Sequence, residues 1–277
     1  MNNKDLLGII ISKQKPGFNQ TKLAKKICAA MPNKFIDHEN VRQYINKIVA
    51  VNPASNKKKH KSTVMAIGDL HAPFDLDEYF YFVKELKNEY NPDKILFMGD
   101  LIDNHGMCFH DVNVDGYSAG DELLLARERL SPYYKEFPNA DVVLGNHDNI
   151  PFRKATRHGI SQHVMKNPQE IWQSPDGWSW SEELWIDEVG YHHGTGRGRA
   201  YKLAQSTNTS TVHGHWHSDA GVVYYQKRRS RVFGVQVGCG IDNNKYAFEY
   251  GKSFKDKPVI SAALIFDGIE AIVVPMK

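Results

Sequence analysis

Five short turns, each directly after an apolar run, carry the residues of this chain best suited to chemistry. They are Asp69-Leu70-His71, Gly99-Asp100, Gly145-Asn146-His147-Asp148, His193-Gly194 and Gly214-His215-Trp216-His217. Carboxylate oxygen, amide oxygen and imidazole nitrogen together make a ligand set for divalent transition metals. Mixed sets of this kind suit manganese, iron or zinc better than magnesium or calcium, which prefer oxygen alone. Asp100 falls between the other ligands in chain order, so its carboxylate is the natural bridge between two ions. One histidine alone is more often a core residue than a ligand, and a single Gly-His-x-His turn is only suggestive. Five such turns in this order are hard to obtain by chance. Glycines beside the ligands let the backbone turn sharply and leave room for a substrate.

The elements that must position these turns are legible around them. Thr63–Ile67 and Lys94–Met98 read as buried strands, and the stretch between them, Asp77 to Tyr90, has Phe80, Val83, Leu86 and Tyr90 at helical spacing. Strand, helix, strand is a βαβ unit, which sends both of the first two turns to the carboxyl edge of one parallel sheet. Gly120 to Leu130 reads as a helix with Leu123, Leu124, Ala126 and Leu130 as its apolar face, ended or kinked by Pro132. Residues 141–144 form a third strand. Residues 150–166 read as a helix broken at Gly159, and the aromatic run Trp172–Trp185 as irregular, serving either as core or as a substrate-facing rim. Val189–His192 and Thr209–His213 are further strands, with a helix from Arg199 to Gln205 between them. Alternating segments at 222–226, 231–237, 262–266 and 271–274, with the Asp267-Gly268 turn, predict antiparallel hairpins.

Bulk properties narrow the class. The 277 residues are 41% hydrophobic and 11% aromatic, enough for one large core with a small appended domain. No apolar run approaches the roughly 18 residues of a membrane span, and the start of the chain lacks the apolar block of a signal peptide, so a cytoplasmic protein with no membrane partner is expected. Cys28, Cys108 and Cys239 are odd in number, far apart and free of any CxxC pair, which argues against a disulfide framework or a cysteine zinc knuckle.

Charge is unevenly spread. Residues 1–61 hold twelve Lys and Arg42 against Asp5, Asp37 and Glu39, a net of +10, while the remainder holds 22 basic and 29 acidic residues, a net of −7. Residues 1–52 read as three short helices similar to a helix-turn-helix module, with Arg42, Gln43, Asn46 and Lys47 facing outward. Residues 53–61, with Lys57, Lys58 and Lys59, read as a flexible cationic linker, and 62–277 as the catalytic domain. A basic appendage on an acidic body is suited to meet a polyanion, so nucleic acid is the expected partner; a solvated tail is the plain alternative.

Taken together, the D-x-H, G-D, G-N-H-D, H-G and G-H-x-H turns resemble those of the calcineurin-like metallophosphoesterases. That resemblance implies a four-layer α/β/β/α sandwich preceded here by the small helical domain, and two divalent ions at its centre. Manganese is the expected metal, with iron, zinc or nickel as alternatives. Carried over position by position, one ion is held by Asp69, His71, Asp100 and His217 and the other by Asp100, Asn146, His193 and His215. Such ions activate a water for in-line attack on phosphorus. His147 matches the histidine that assists the leaving group, and Asp148 is expected either to orient it or to pair with a neighbouring loop.

Departures from the pattern bear on the substrate. Phosphoprotein phosphatases of the family continue the second turn as G-D-x-x-D-R-G, and Asn104 stands here in place of that Arg. Asn104, Arg197 and Arg199 are the expected substrate contacts, with a solvent-exposed turn as the alternative for the two arginines; His105 and His110 either reach the substrate or decorate the loop. The resulting expectation is a phosphoester hydrolase acting on nucleic acid, as a nuclease or an end-processing phosphatase. The alternatives are a small nucleotide or other phosphoester and, more remotely, a phosphoprotein.

Overall fold

The computed structural model describes residues 41, 62–109, 115–228, 230–245 and 257–277. The chain divides into two compact units, Met1–His60 and Lys61–Lys277. Of the first, Val41 is described, a buried helical residue. Arg42, Lys47, Lys57, Lys58 and Lys59, the expected helix-turn-helix, and His110 lie outside the described residues.

The second unit is built on two sheets. Strands β1 (Thr63–Ile67), β2 (Lys94–Phe97), β3 (Ala140–Val143) and β4 (Trp178–Ser181) run parallel in the first. The second is formed by β5 (Glu183–Ile186), β6 (Val189–His192), β7 (Thr211–His213), β8 (Ala220–Gln226) and β9 (Arg231–Val237) in the order β5-β6-β7-β9-β8, with β6, β7 and β9 parallel. The hairpin β10 (Ser261–Phe266) and β11 (Glu270–Pro275) returns to the first sheet, antiparallel to β1, for an order β11-β10-β1-β2-β3-β4.

Each central strand of the first sheet is apolar on both faces, which is why it reads as an unbroken apolar run. Val64 and Ala66 of β1 face the second sheet, where they meet Tyr191, Val212, Phe233 and Val235. Met65 and Ile67 face the other way, into a core closed by helices α1 (Asp77–Tyr90) and α2 (Ala119–Glu136). Three short helices follow in the chain: α3 (Ile150–Arg157), α4 (Pro168–Trp172) and α5 (Ala200–Thr207). Helix α5 packs on β7, β8 and β9, so the layers run helix, sheet, sheet, helix. Among the described residues no helix is long and apolar enough to cross a membrane.

Several local expectations are corrected by tertiary packing. Pro132 does not end α2, which runs on to Glu136 with the proline inside it. An interior proline costs roughly 3 kcal/mol, and burial of Tyr133 and Phe137 on the far side of it offsets that loss. Leu124 is 61% exposed rather than part of the apolar face, whereas Glu122 is buried. On α1, Tyr79 rather than Phe80 or Tyr90 takes the central buried place, its hydroxyl donating to Ser261 O at 2.8 Å. The aromatic run 172–185 is regular, not irregular: it ends α4 and supplies β4 and β5. Trp178 there stacks on Phe97 at 4.8 Å between ring centroids, and Trp172 and Trp178 are buried. Among the described cysteines, Cys239 is buried and Cys108 half-buried.

Because β1, β2, β3, β6 and β7 end at the five turns, their parallel directions bring ligand-bearing loops from both sheets to the carboxyl edges. The sheets are tied together there. Gly240 N donates to Asp69 O at 2.8 Å, and His193 Nδ1 lies 2.8 Å from Met98 O.

Candidate metal centre

Asp69, after β1, and Asp100, after β2, are both buried, and their oxygens stand at the middle of the imidazoles. Two glycines make that approach possible. A Cβ at Gly145 would overlap Asp100 Oδ1, and one at Gly214 would overlap Asp69 Oδ1. The loops are also bent at the ligand-bearing positions themselves. His71, Asp100 and His215 have φ of 51°, 46° and 64°, and Asn104 follows with 53°. Left-handed backbone at non-glycine residues is uncommon and gathers at functional sites.

Three groups of ligand atoms lie within 4.8 Å of one another: Asp69, His71 and His217; His71, Asp100 and His147; and Asp100, His193 and His215. Asp100 joins the last two. Its Oδ2 is 3.6 Å from His71 Nε2 and 3.1 Å from His193 Nε2. Asn146 Oδ1 lies 3.0 Å from the same His193 nitrogen, and Thr195 Oγ1 donates to it at 2.8 Å. The rings of His193 and His215 are 5.0 Å apart.

Hydrogen-bond polarity decides whether these residues fit a cation. His193 Nδ1 must be an N–H, because it faces the Met98 carbonyl. In the neutral ring Nε2 is then a lone pair, directed at two oxygen acceptors, Asp100 Oδ2 and Asn146 Oδ1. Three acceptors facing one another are stable only around a positive charge. Across the centre, His217 Nε2 lies 3.0 Å from Asp69 Oδ2. His71 Nδ1 donates to Asp103 Oδ1 at 2.6 Å, which leaves its Nε2 a lone pair 3.3 Å from His217 Nε2. Asp69 Oδ1 is buried without a hydrogen-bond donor, and such an atom asks for a partner that the protein does not supply. Ring N–H groups anchored on a carbonyl or carboxylate, with the opposite nitrogen facing inward, are the usual support of metal-binding histidines. The residues present fit two cations that share Asp100.

The electrostatics without ions point the same way. Burial opposes the charged form of His193, but Asp100 and Asp69 outweigh it and push its pKa up to about 10. Burial likewise opposes ionisation of Asp100, yet the positive histidines around it, His193 first, hold its carboxyl well below the usual range. His71 is held well below the usual imidazole value by burial and then by the charge of His147. The centre therefore gathers negative charge that only a proton or a metal can balance.

Around this core the expected roles are redistributed. His147 Nδ1 is 2.6 Å from Asp103 O and 3.3 Å from Asp103 Oδ1, so Asp103 holds the ring. Asp148 does not orient His147. Its fully buried carboxylate accepts from the amides of Gly145 at 2.8 Å, Leu101 at 3.0 Å and Ile102 at 3.2 Å, which clamps the second and third turns together. Asn104 is buried, and its side-chain amide donates to His147 O at 2.9 Å, so it braces the loop from within instead of facing solvent. Arg197 pairs with Glu183 at 3.2 Å, while Arg199 pairs with Asp219 and lies over the Trp216 ring at 4.7 Å. Both guanidiniums pair with carboxylates in the structure. Glu122, to which the sequence reading gave no function, accepts from His105 N at 2.7 Å and Gly106 N at 2.6 Å and pins the loop after Asp103. Asp103 was legible as a second carboxylate three residues after Asp100. Nothing in an amphipathic helix marked Glu122 as turned inward.

A family model described as calcineurin-like phosphoesterase matches residues 62–236. The chain belongs to this family. It thus carries a phosphoester hydrolase domain of the calcineurin-like kind, and the clusters around Asp100 are candidate sites for the divalent metals such domains bind. Similar solved structures include vacuolar protein sorting 29 from Cryptosporidium parvum, at 16% identity and a TM-score of 0.40 over 79% of this chain and 98% of that one. Another is a metallophosphoesterase from Sphaerobacter thermophilus, at 13% identity and a TM-score of 0.39 over 78% of this chain and 88% of that one. No curated protein matches the chain.

Proposed function

We propose that this calcineurin-like phosphoesterase hydrolyses phosphodiester bonds of nucleic acid with two divalent ions, manganese foremost. The meeting at Asp100 of lone-pair clusters from both sheets supports the reaction class. In this reading Asp69, His71, Asp100 and His217 hold one ion, and Asp100, Asn146, His193 and His215 hold the other. When bound, the ions supply a nucleophile at neutral pH and offset charge on the phosphoryl oxygens. His147, with its Nδ1–H anchored on Asp103 O, acts as the imidazolium, a form that burial opposes but Asp100 and Asp103 favour more strongly, and donates its Nε2 proton to the leaving oxygen. Asp103 fixes the tautomers of both His71 and His147, while Asp148 and Asn104 keep the turns in register.

Charge supports nucleic acid as the substrate. Residues 1–61 carry a net of +10 and residues 62–277 a net of −7. A segment so charged captures a phosphate backbone through counterion release, whereas a small monoester would gain little from it.

The test is hydrolysis of end-labelled single- and double-stranded DNA with Mn²⁺, resolved by length, with Asp100→Asn as control. Shortened products from the native chain alone are expected. Loss of only a terminal phosphate would make it an end-processing phosphatase. Intact DNA, with a chromogenic phosphoester still cleaved, would transfer the reading to a small substrate.

A further inference from the structure

The acidic catalytic unit contains three long stretches without a carboxylate, residues 149–169, 189–218 and 220–241. Residues 149–169 hold Arg153, Lys154, Arg157 and Lys166, with His158 and His163, and no Asp or Glu. This stretch starts immediately after the His147-Asp148 turn and forms α3 and the short turn Gln162–Val164. Three of its cations converge on one aromatic ring. The guanidinium carbons of Arg157 and Arg153 lie 4.2 and 4.9 Å from the Phe109 ring centroid, and Lys154 Nζ lies 5.6 Å from it. Phe109 itself stands on the loop that continues from Asp103 and His105, so the ring joins this helix to the loop holding His147.

Arg153 and Arg157 are exposed, as are His158, His163 and Lys166, and among the described residues no carboxylate pairs with Arg153, Lys154 or Arg157. The two flanking acids are spent locally: Asp148 on backbone amides, and Glu170 on the Asn167 amide at 3.1 Å. Three like charges gathered on one ring repel one another, and a bound polyanion would relieve that repulsion. Arg153 and Arg157 are four residues apart on α3, hence about 6 Å apart along its axis at about 1.5 Å per residue. Their helix begins two residues after the His147-Asp148 turn. Guanidiniums are suited to bidentate contact with phosphate oxygens.

We propose that Arg153, Lys154 and Arg157, arranged around Phe109, form a binding surface for the phosphate backbone of single-stranded nucleic acid leading away from the metal centre. This deepens the nucleic-acid reading and rests on it. The surface belongs to the catalytic unit and is separate from the basic residues 1–61. A chain that binds here is held several nucleotides beyond the scissile phosphate, which favours long substrates over short ones.

The experiment compares the full-length native chain with Arg153→Ala/Arg157→Ala, using a fluorescein-labelled single-stranded 12-mer in chelator so that nothing is cut. The double variant should bind about tenfold more weakly. Its plot of log K against log salt should be shallower by about 1.4, from two contacts at about 0.7 each. With Mn²⁺ restored, kcat/KM on the 12-mer should fall at least tenfold further than on a chromogenic diester, mostly through KM. Equal losses on both substrates would mark the arginines as merely structural and overturn the proposal. An unchanged salt slope would also overturn it. So would loss of binding to phosphatidylserine vesicles with the 12-mer unaffected. If the native chain cuts the 12-mer and the variant does so equally well, this surface is wrong and the nucleic-acid reading stands. If the native chain neither binds nor cuts it, the nucleic-acid reading falls and takes this surface with it.

Discussion

Asp148→Asn separates the role found here from the one expected of a residue next to a catalytic histidine. The side chain keeps its size and exchanges one carboxylate oxygen for an amide NH₂. In the native fold Oδ2 accepts from Gly145 N at 2.8 Å, while Oδ1 accepts from Leu101 N at 3.0 Å and Ile102 N at 3.2 Å. Whichever way the asparagine is turned, its NH₂ faces at least one buried backbone N–H, so one acceptor is lost and two donors oppose each other. Burial and the charge of Asp100 push the Asp148 pKa up to about 7, so above that pH the change loses a hydrogen bond to a charged group and orphans a buried amide, at a cost of about 2–4 kcal/mol. For a domain of this size each kcal/mol is worth about 2–4 °C, so the melting temperature should fall by about 5–15 °C. The assay is thermal unfolding followed by circular dichroism, with chelator present so that metal release does not enter. The residual enzyme below the transition should keep the native dependence of rate on leaving-group pKa, because His147 is held by Asp103. A melting temperature within about 2 °C of native, together with a changed leaving-group dependence, would refute the clamp and return Asp148 to His147.

Three other outcomes are expected. Asp103→Asn weakens the charged support of His71 at 2.6 Å and should reduce Mn²⁺ affinity about 10–100-fold, read by calorimetric titration. Leu124→Glu, on the exposed side of α2, should change stability by less than about 0.5 kcal/mol, whereas Ala126→Glu buries a charge in the core and should prevent folding; chemical denaturation distinguishes them. His213 is buried, and burial lowers its pKa to about 4. Below pH about 6.5 the unfolded chain takes up a proton that the folded imidazole refuses until pH about 4, so stability present above that window is lost as pH falls through it. His213→Gln should remove about 2–3 kcal/mol of that fall, measured as urea midpoints at pH 7.5 and pH 4.5.

The site was more legible than the shell that holds it. Asp69, His71, Asp100, Asn146, His193, His215 and His217 each follow a doubly buried strand, where an apolar run ends abruptly in a polar turn. Both the strand and its candidate ligand could therefore be read locally. The supporting residues depend on partners distant in sequence. Asp148 acts on amides 46 and 47 residues earlier, and Glu122 reaches back to a loop that its own helix periodicity cannot reveal. Arg197 and Arg199 looked available for phosphate because Glu183 and Asp219, which bind them, lie on other elements. Aromatic packing hid the strands β4 and β5 for a similar reason: Trp178 is placed by Phe97 across the sheet, not by alternation in its own segment. Pro132 shows the reverse case, a strong local signal overridden by the burial of Tyr133 and Phe137.

The central claim is that ligands from both sheets hold two ions joined by Asp100. It is tested most directly by crystals grown with Mn²⁺ and measured at the manganese absorption edge. Two anomalous peaks are expected on either side of the Asp100 carboxylate, one amid Asp69, His71 and His217, the other amid Asn146, His193 and His215. A single peak, or peaks away from Asp100, would contradict it.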